Sequence, residues 1–328
     1  MSRNNIETKL HEQHLINRIN TNNNQTDFSI IICTWNNYQR LDKTLSYFTK
    51  VKVPGGTQWE LVLVNNNCTD QTDDVVSRYI GLLPIKYIHE DNQGVSYAKN
   101  SGLNYARGRL IIFTDDDVRP SEDWLNIYWS AYKLNPSGYY FGGPVKSEFL
   151  ANKIDQDLIS LAQYSVRGLD WGIKERLLTT KENFIGANWA CSMEDLKRAG
   201  NFNVNLGLGS NRKKVKIGEE TDMMNRLRSS GLKPWYIPEL SIIHYVPEHK
   251  TGFKHIMDRK QAYGYFNAQK KKAGLKGPFI FGVLGWSIIN SVIYYCGWLV
   301  FRLIGKRGYL QYGEFKYHKG LILGLCDI

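Results

Sequence analysis

Continuous apolar runs alternate with amphipathic stretches through the first third of the chain. Phe28 to Thr34, Trp59 to Val64, Ile85 to His89 and Leu110 to Thr114 are short and largely apolar, so each is expected to be a buried strand. Between them Leu41, Leu45 and Phe48 share one helical face, as do Val75, Val76 and Tyr79, and then Ala98, Gly102, Leu103 and Ala106 within Val95 to Ala106. Asn36 is expected to cap the first of these helices, and Thr69 or Asp70 the second. Strand and helix in alternation, without two-residue hairpins, call for an α/β fold with a mostly parallel sheet covered by helices. Ligands of such sheets bind at the carboxyl ends of the strands, which gathers the loops beginning at Thr34, Asn65 and Asp115.

Beyond residue 120 the pattern loosens. Phe184 to Cys191 reads as a strand and Met193 to Ala199 as a helix, followed by a Gly- and Lys-rich loop from Val204 to Lys216. Gly218-Glu-Glu-Thr-Asp222 opens a helix with Met223, Met224 and Leu227 inward, and Gly231 ends it. Trp235 to Ile237 and Ser241 to His244 are short strands. With no repeat and no Pro-rich linker, residues 28–250 form one domain, preceded by a polar leader at 1–27 and followed by a basic and hydrophobic region at 251–328.

Phe279 to Phe301 supplies 23 uncharged, mostly apolar residues, flanked by Lys270, Lys271, Lys272 and Lys276 before and Arg302, Lys306 and Arg307 after. That length spans a bilayer, yet Asn290, Ser287, Ser291 and three glycines weaken it, and basic flanks at both ends favour neither orientation. The segment is expected to contact a membrane as a peripheral, re-entrant or single-pass element, with burial in a core as the other reading. Charge agrees. The net +11 is concentrated from Lys250 onward, where 13 Lys or Arg face 3 Asp or Glu, while residues 1–249 carry 29 against 28. An anionic surface met by one end of the molecule fits this better than a basic groove, so no nucleic-acid partner is expected. Met1 to Leu10 holds no apolar signal core, so the catalytic part is expected at the cytoplasmic face of the cell membrane. The five cysteines lack paired metal spacing and are expected to be reduced, without zinc.

The chemistry centres on Asp115, Asp116 and Asp117 at the exit of a buried strand. Like charges this close need a cation or a web of donors. In extended chain Asp115 and Asp117 project one way and Asp116 another, giving two oxygen ligands for Mg²⁺ or Mn²⁺, ions that complete their shell with water and phosphate; a solvated acidic turn is the plainer alternative. Glu219 and Glu220 open a helix, where acids serve either as ordinary N-terminal charge or as a general base toward an acceptor hydroxyl. His244 is a third metal ligand or a structural histidine; Lys99 and Asn100 meet a phosphate or a base, or form a solvated face; Asn188 and Trp189 line an acceptor pocket, or Trp189 is core. Neither a Gly-x-Gly-x-x-Gly turn nor a Walker lysine loop is present, which disfavours dinucleotides and P-loop triphosphates.

In order, Ser29-Ile-Ile-Ile-Cys-Thr-Trp-Asn36, Val62-Leu-Val-Asn-Asn-Asn-Cys-Thr-Asp70, Asn92 to Gly102, Phe113-Thr-Asp-Asp-Asp117, Gly186-Ala-Asn188, Gly218 to Asp222 and Pro238 to His244 resemble the family 2 glycosyltransferases with a GT-A fold. The resemblance covers about residues 28–245 and implies inverting transfer of a sugar from a nucleoside diphosphate donor to a saccharide or lipid-linked acceptor, in surface polysaccharide or glycolipid synthesis. It divides the catalytic domain into a nucleotide-binding half, 28–120, and an acceptor-binding half, 121–250. Thr34, Asn36, Asn65, Lys99 and Asp115 would hold the nucleotide sugar, with Asn100 and Asp116 counted beside them; Asp115, Asp117 and His244 would bind the metal, Glu220 with its neighbour Glu219 would supply the base, and Asn188 and Trp189 would meet the acceptor. Asn65 stands where an aspartate commonly accepts a hydrogen bond from the base, Cys33 where proline is usual, and Glu220 where the base is usually aspartate. The competing readings are a catalytically silent sugar-nucleotide-binding scaffold of the same fold and, more weakly, a nucleotidyltransferase.

Overall fold

The computed structural model describes residues 26–207, 217–274 and 278–326. The leader up to residue 25 and most of the Val204 to Lys216 loop therefore lie outside the described residues. In chain order come β1 (Phe28–Thr34), α1 (Tyr38–Phe48), β2 (Trp59–Asn65), α2 (Thr72–Tyr79), β3 (Ile85–His89), α3 (Val95–Tyr105), β4 (Leu110–Asp115) and β5 (Val118–Pro120). Then follow α4 (Trp124–Leu134), β6 (Tyr139–Gly142), β7 (Val145–Phe149), α5 (Gln156–Ser160), α6 (Tyr164–Arg167), β8 (Arg176–Leu177), β9 (Trp189–Ser192) and α7 (Met193–Ala199). The last elements are α8 (Glu219–Ser229), β10 (Lys233–Tyr236), β11 (Ile242–Val246), α9 (Glu248–Thr251), α10 (Phe253–Gly274), α11 (Pro278–Leu303) and α12 (Tyr309–Cys326).

The chain divides into two compact units. The first holds residues up to Lys146, Leu169–Asn205 and Glu219–His244; the second holds Ser147–Gly168, Leu206–Gly218 and Tyr245 onward, so a stretch from mid-chain joins the tail.

In the first unit an eight-stranded sheet runs β3-β2-β1-β4-β9-β6-β10-β8. Its amino-terminal part, β3 to β4, is wholly parallel, because each strand returns through a helix; β9 enters antiparallel to both β4 and β6. The fold is therefore α/β with a mostly parallel sheet flanked by helices. Apolar side chains of β1 alternate between two cores: Phe28, Ile30 and Ile32 pack with Leu41, Leu45 and Phe48 of α1, while Ile31 packs with Val62, Val64, Ala98 and Phe113. This two-sided burial is why these strands read as unbroken apolar runs rather than as alternating ones. Strand β5 pairs antiparallel with β11, and the register sets His244 opposite Val118.

The start of α1 departs from expectation. Asn36 does not cap α1; with φ 48° its side chain turns away, and Asn36 Oδ1 accepts from Thr69 N–H at 2.8 Å. Asp70 takes both jobs, accepting from Tyr38 N–H at 3.1 Å and from Thr72 N–H at 3.2 Å, so one carboxylate serves the first turns of α1 and α2.

In the second unit α10 and α12 lie in backbone contact. A Cβ on Gly264 would come within 2.0 Å of Tyr317 O, and one on Gly320 within 2.0 Å of Gln261 O. Helix α11 packs antiparallel along α12, with Ile280, Val283 and Leu284 against Leu321 and Leu325, and Trp298 against Tyr312.

Candidate active site

Strand β4 delivers the acidic turn to the carboxyl edge of the sheet. One ligand atom each from Asp115, Asp117 and His244 lies within 4.8 Å of the others, the one such group among the described residues. The β5–β11 register brings the histidine there, and its Nε2 stands 3.1 Å from Asp117 Oδ1. Both side chains are buried, at 5% and 4% exposure. Burial, and then the neighbouring Asp117 charge, push the Asp115 carboxyl above its usual range. The cluster is thus short of positive charge. His244 Nδ1 is also buried without a hydrogen-bond partner. Two carboxylates and an incompletely used imidazole fit Mn²⁺ or Mg²⁺, by hardness and ligand number.

Asp116 has a different task. Its carboxylate accepts from Thr34 Oγ1 at 2.6 Å and Asn37 Nδ2 at 2.7 Å, and its carbonyl accepts from Thr44 Oγ1 at 3.0 Å. Burial and the Asp117 charge push it up to about 7 despite those donors. Thr34 and Asp116, both assigned to the nucleotide sugar from sequence, here bind each other and tie the exits of β1 and β4. Asn37 and Thr44 were missed; nothing local in the sequence marks either as a partner of a residue more than 70 positions away.

Asn65 is enclosed. Its Nδ2 donates to Tyr87 OH at 2.7 Å and Asp73 Oδ1 at 3.2 Å, its Oδ1 accepts from Cys68 N–H at 2.7 Å, and Tyr87 OH donates to Asp73 Oδ1 at 2.6 Å. Next to it Asn66 donates to the carbonyls of Glu90 and Asn92 and accepts from Gly94 N–H at 2.8 Å, joining the β2 and β3 exits. The run of asparagines was the available signal for Asn66.

Lys99 points away from solvent toward α8, with 4% exposure. Its Nζ lies 3.4 Å from Glu219 Oε1 and in closer contact with Glu220 Oε1. Burial alone would lower the lysine, but the charges of Glu220, Glu219 and Asp115 outweigh it and raise it. Burial likewise opposes ionisation of Glu220, and the Lys99 charge with hydrogen bonds from Glu219 and Lys99 overcomes it, so Glu220 falls below the usual range. Glu219 goes the other way, pushed up to about 8 by burial and by Glu220. The pair therefore shares one proton near neutrality, resting on Glu219. Asn100 locks this arrangement from behind: its Nδ2 donates to Phe202 O at 2.9 Å, Phe202 N–H returns a bond to its Oδ1 at 2.8 Å, and the Phe202 ring faces Lys99 Nζ at 5.5 Å.

Asn188 and Trp189 are both fully buried. Asn188 Oδ1 accepts from Trp124 Nε1 at 3.0 Å and Tyr128 OH at 2.9 Å, and Nδ2 donates to the carbonyls of Pro144 and Leu240. Trp189 stacks on Phe113 at 4.6 Å between centroids. What reaches the site is the backbone of Gly186, where a Cβ would lie 2.1 Å from Glu220 Oε1.

The parallel part of the sheet and its acidic exit fall within the match to a known family. The model of glycosyl transferase family 2 matches residues 29–194, half of the chain. The chain belongs to glycosyl transferase family 2. Among relatives of this family 2 chain, a glucosyl-dolichyl phosphate glucuronosyltransferase of Haloferax volcanii is 22% identical over 72% of this chain and 75% of its own length. A poly(ribitol-phosphate) beta-N-acetylglucosaminyltransferase of Staphylococcus aureus is 27% identical, over 35% of each chain. Among solved structures, a mannosyltransferase from Pyrobaculum calidifontis in complex with GDP-Man and Mn²⁺ aligns with a TM-score of 0.56 at 15% identity, over 98% of this family 2 chain and 96% of its own. The likeness is one of fold, the GT-A fold of nucleotide-sugar transferases.

Proposed function

We propose that this family 2 glycosyltransferase moves a sugar from a nucleoside diphosphate donor to an acceptor hydroxyl with inversion, using Mn²⁺ or Mg²⁺ held by Asp115, Asp117 and His244. The convergence of those three side chains at the exit of β4, where Asp115 also feels the charges of Lys99 and Glu220, carries the reading. A cation held by these residues would supply the positive charge that a departing diphosphate needs. Glu220, kept ionised by Lys99, takes the acceptor proton; Glu219, protonated, orients it. Asn36, Asn65 and the Thr34–Asp116 tie shape the nucleotide pocket, Asn65 through the backbone it holds at Cys68. Lys99 and Asn100 act on the donor side indirectly, by fixing Glu220. Asn188 and Trp189 likewise serve the acceptor side from the core, by holding the Gly186 backbone against Glu220.

The acceptor we propose is lipid-linked or a surface polymer, and the place of work is the cytoplasmic face of the membrane. The two relatives' names, a dolichyl phosphate sugar in one and poly(ribitol-phosphate) in the other, support the acceptor class. Helix α11, of which Ile280–Leu303 is long and apolar enough to cross a bilayer, supports the contact with a membrane.

The test is a panel of nucleoside diphosphate sugars with and without Mn²⁺. A matching donor at 100 times its Kd raises stability by about 2.7 kcal/mol. Single-turnover release of nucleoside diphosphate in the presence of acceptor then separates transfer from silent binding, and release of pyrophosphate would indicate nucleotidyl transfer. Turnover undiminished by EDTA would overturn the metal assignment.

A further inference from the structure

Helix α11 presents a single open apolar face. Phe281, Ile288, Val292, Leu299 and Leu303 recur at intervals of seven and four residues, all on one side, and are 42–86% exposed. The stripe runs about 33 Å at 1.5 Å per residue. The opposite side is occupied: Ser287 is fully buried, Tyr294 stacks on His318 at 5.7 Å, and Trp298 meets Tyr312 at 4.9 Å.

Those neighbours decide how such a helix meets lipid. His318 lies between the rings of Trp286 and Tyr294, which sets the middle of α12 level with the middle of α11. That part of α12 is charged. Lys316 pairs with Asp258 at 3.3 Å and Glu314 with Lys260 at 3.4 Å, both partners being on α10. An upright α11 would drag these ion pairs to mid-bilayer, where charge is least tolerated. The turn after α11 is also tied to protein, since Tyr309 OH donates to Asp155 Oδ2 at 2.9 Å and Arg307 pairs with the same carboxylate.

We infer that α11 lies flat in the interface of an anionic bilayer, its open stripe among the acyl chains and α12 and α10 backing it on the water side. The occupant is lipid because the stripe is apolar over its whole length while the tail carries 13 Lys or Arg against 3 Asp or Glu, charge complementary to acidic headgroups. This deepens the membrane placement proposed above and is independent of the chemistry at Asp115.

Full-length protein is mixed with phosphatidylcholine vesicles, with or without phosphatidylglycerol, and pelleted. A spin label is placed in turn at Phe281→Cys, Val292→Cys and Leu303→Cys, with Cys296→Ser and Cys326→Ser removing the exposed native thiols. The expected result is preference for phosphatidylglycerol, equal shallow depth at all three labels, and about a tenfold or greater loss of binding in Lys270→Glu/Lys271→Glu. A deep label at 292 with shallow ends would show a span and overturn the inference while leaving membrane placement intact. Failure to pellet with either vesicle, or burial of the labels by a second copy in solution, would overturn both, with the transferase reading untouched.

Discussion

Lys99 Nζ stands 3.4 Å from Glu219 Oε1 while also contacting Glu220, so a single buried ammonium serves two adjacent carboxyl groups. Removing it strands their charge. Lys99→Met should cost about 3–5 kcal/mol in urea denaturation, and adding Glu219→Gln and Glu220→Gln should recover most of the loss. A Lys99→Met chain as stable as the parent would show the contact to be incidental.

Glu219 gives stability a sign in pH. Its folded value near 8 exceeds the 4.5 of a free glutamate, so the folded state holds a proton that the unfolded chain has released between those values. Stability from this group is complete below pH 4.5 and declines as pH rises through 8. Glu220, lowered instead, adds stability that is present above 4.5 and is lost only at more acid pH. Glu219→Gln should therefore flatten the fall in melting temperature between pH 4.5 and about 8; an unchanged slope would place the proton elsewhere.

Metal binding should be visible without turnover. Mn²⁺ is expected to raise the melting temperature of the parent chain, EDTA to reverse the rise, and Asp117→Ala to abolish it. A full Mn²⁺ shift in Asp117→Ala would move the ion away from this turn.

Gly186 tests the seat of the base. Its missing Cβ leaves room for Glu220 Oε1, which an alanine would meet at 2.1 Å. Displacing a reacting group by about 1 Å costs roughly 100-fold, so Gly186→Ala should lower kcat on that scale with donor KM little changed. Glu220→Gln should cost about 10²–10⁴-fold and spare donor binding. If both variants turn over normally, Glu220 is not the base.

The parallel half of the sheet was legible because its strands are buried on both faces and its helices show one apolar side each. Asp115 and Asp117 do lie together, apart from Asp116, but across a turn rather than along extended chain, since β4 ends at Asp115. What could not be read was partnership across the chain. Lys99 and Glu220 are 121 residues apart, and a lysine beside an asparagine after a glycine turn looks as ready for phosphate as for glutamate. Asn188 read as part of an acceptor pocket because no local pattern reveals that Trp124, Tyr128, Pro144 and Leu240 converge on it. Helix α4 went unread for a related reason: aromatic residues crowd several of its sides and blur its period.

The bare glycine seam between α10 and α12 has a mechanical outcome. At Gly264 and Gly320, set against carbonyls of the facing helix, no side chain cushions the joint, and neither rod can slide there without driving backbone into backbone. Each glycine works as a keyway: even one added methyl group at either position would pry the two rods apart.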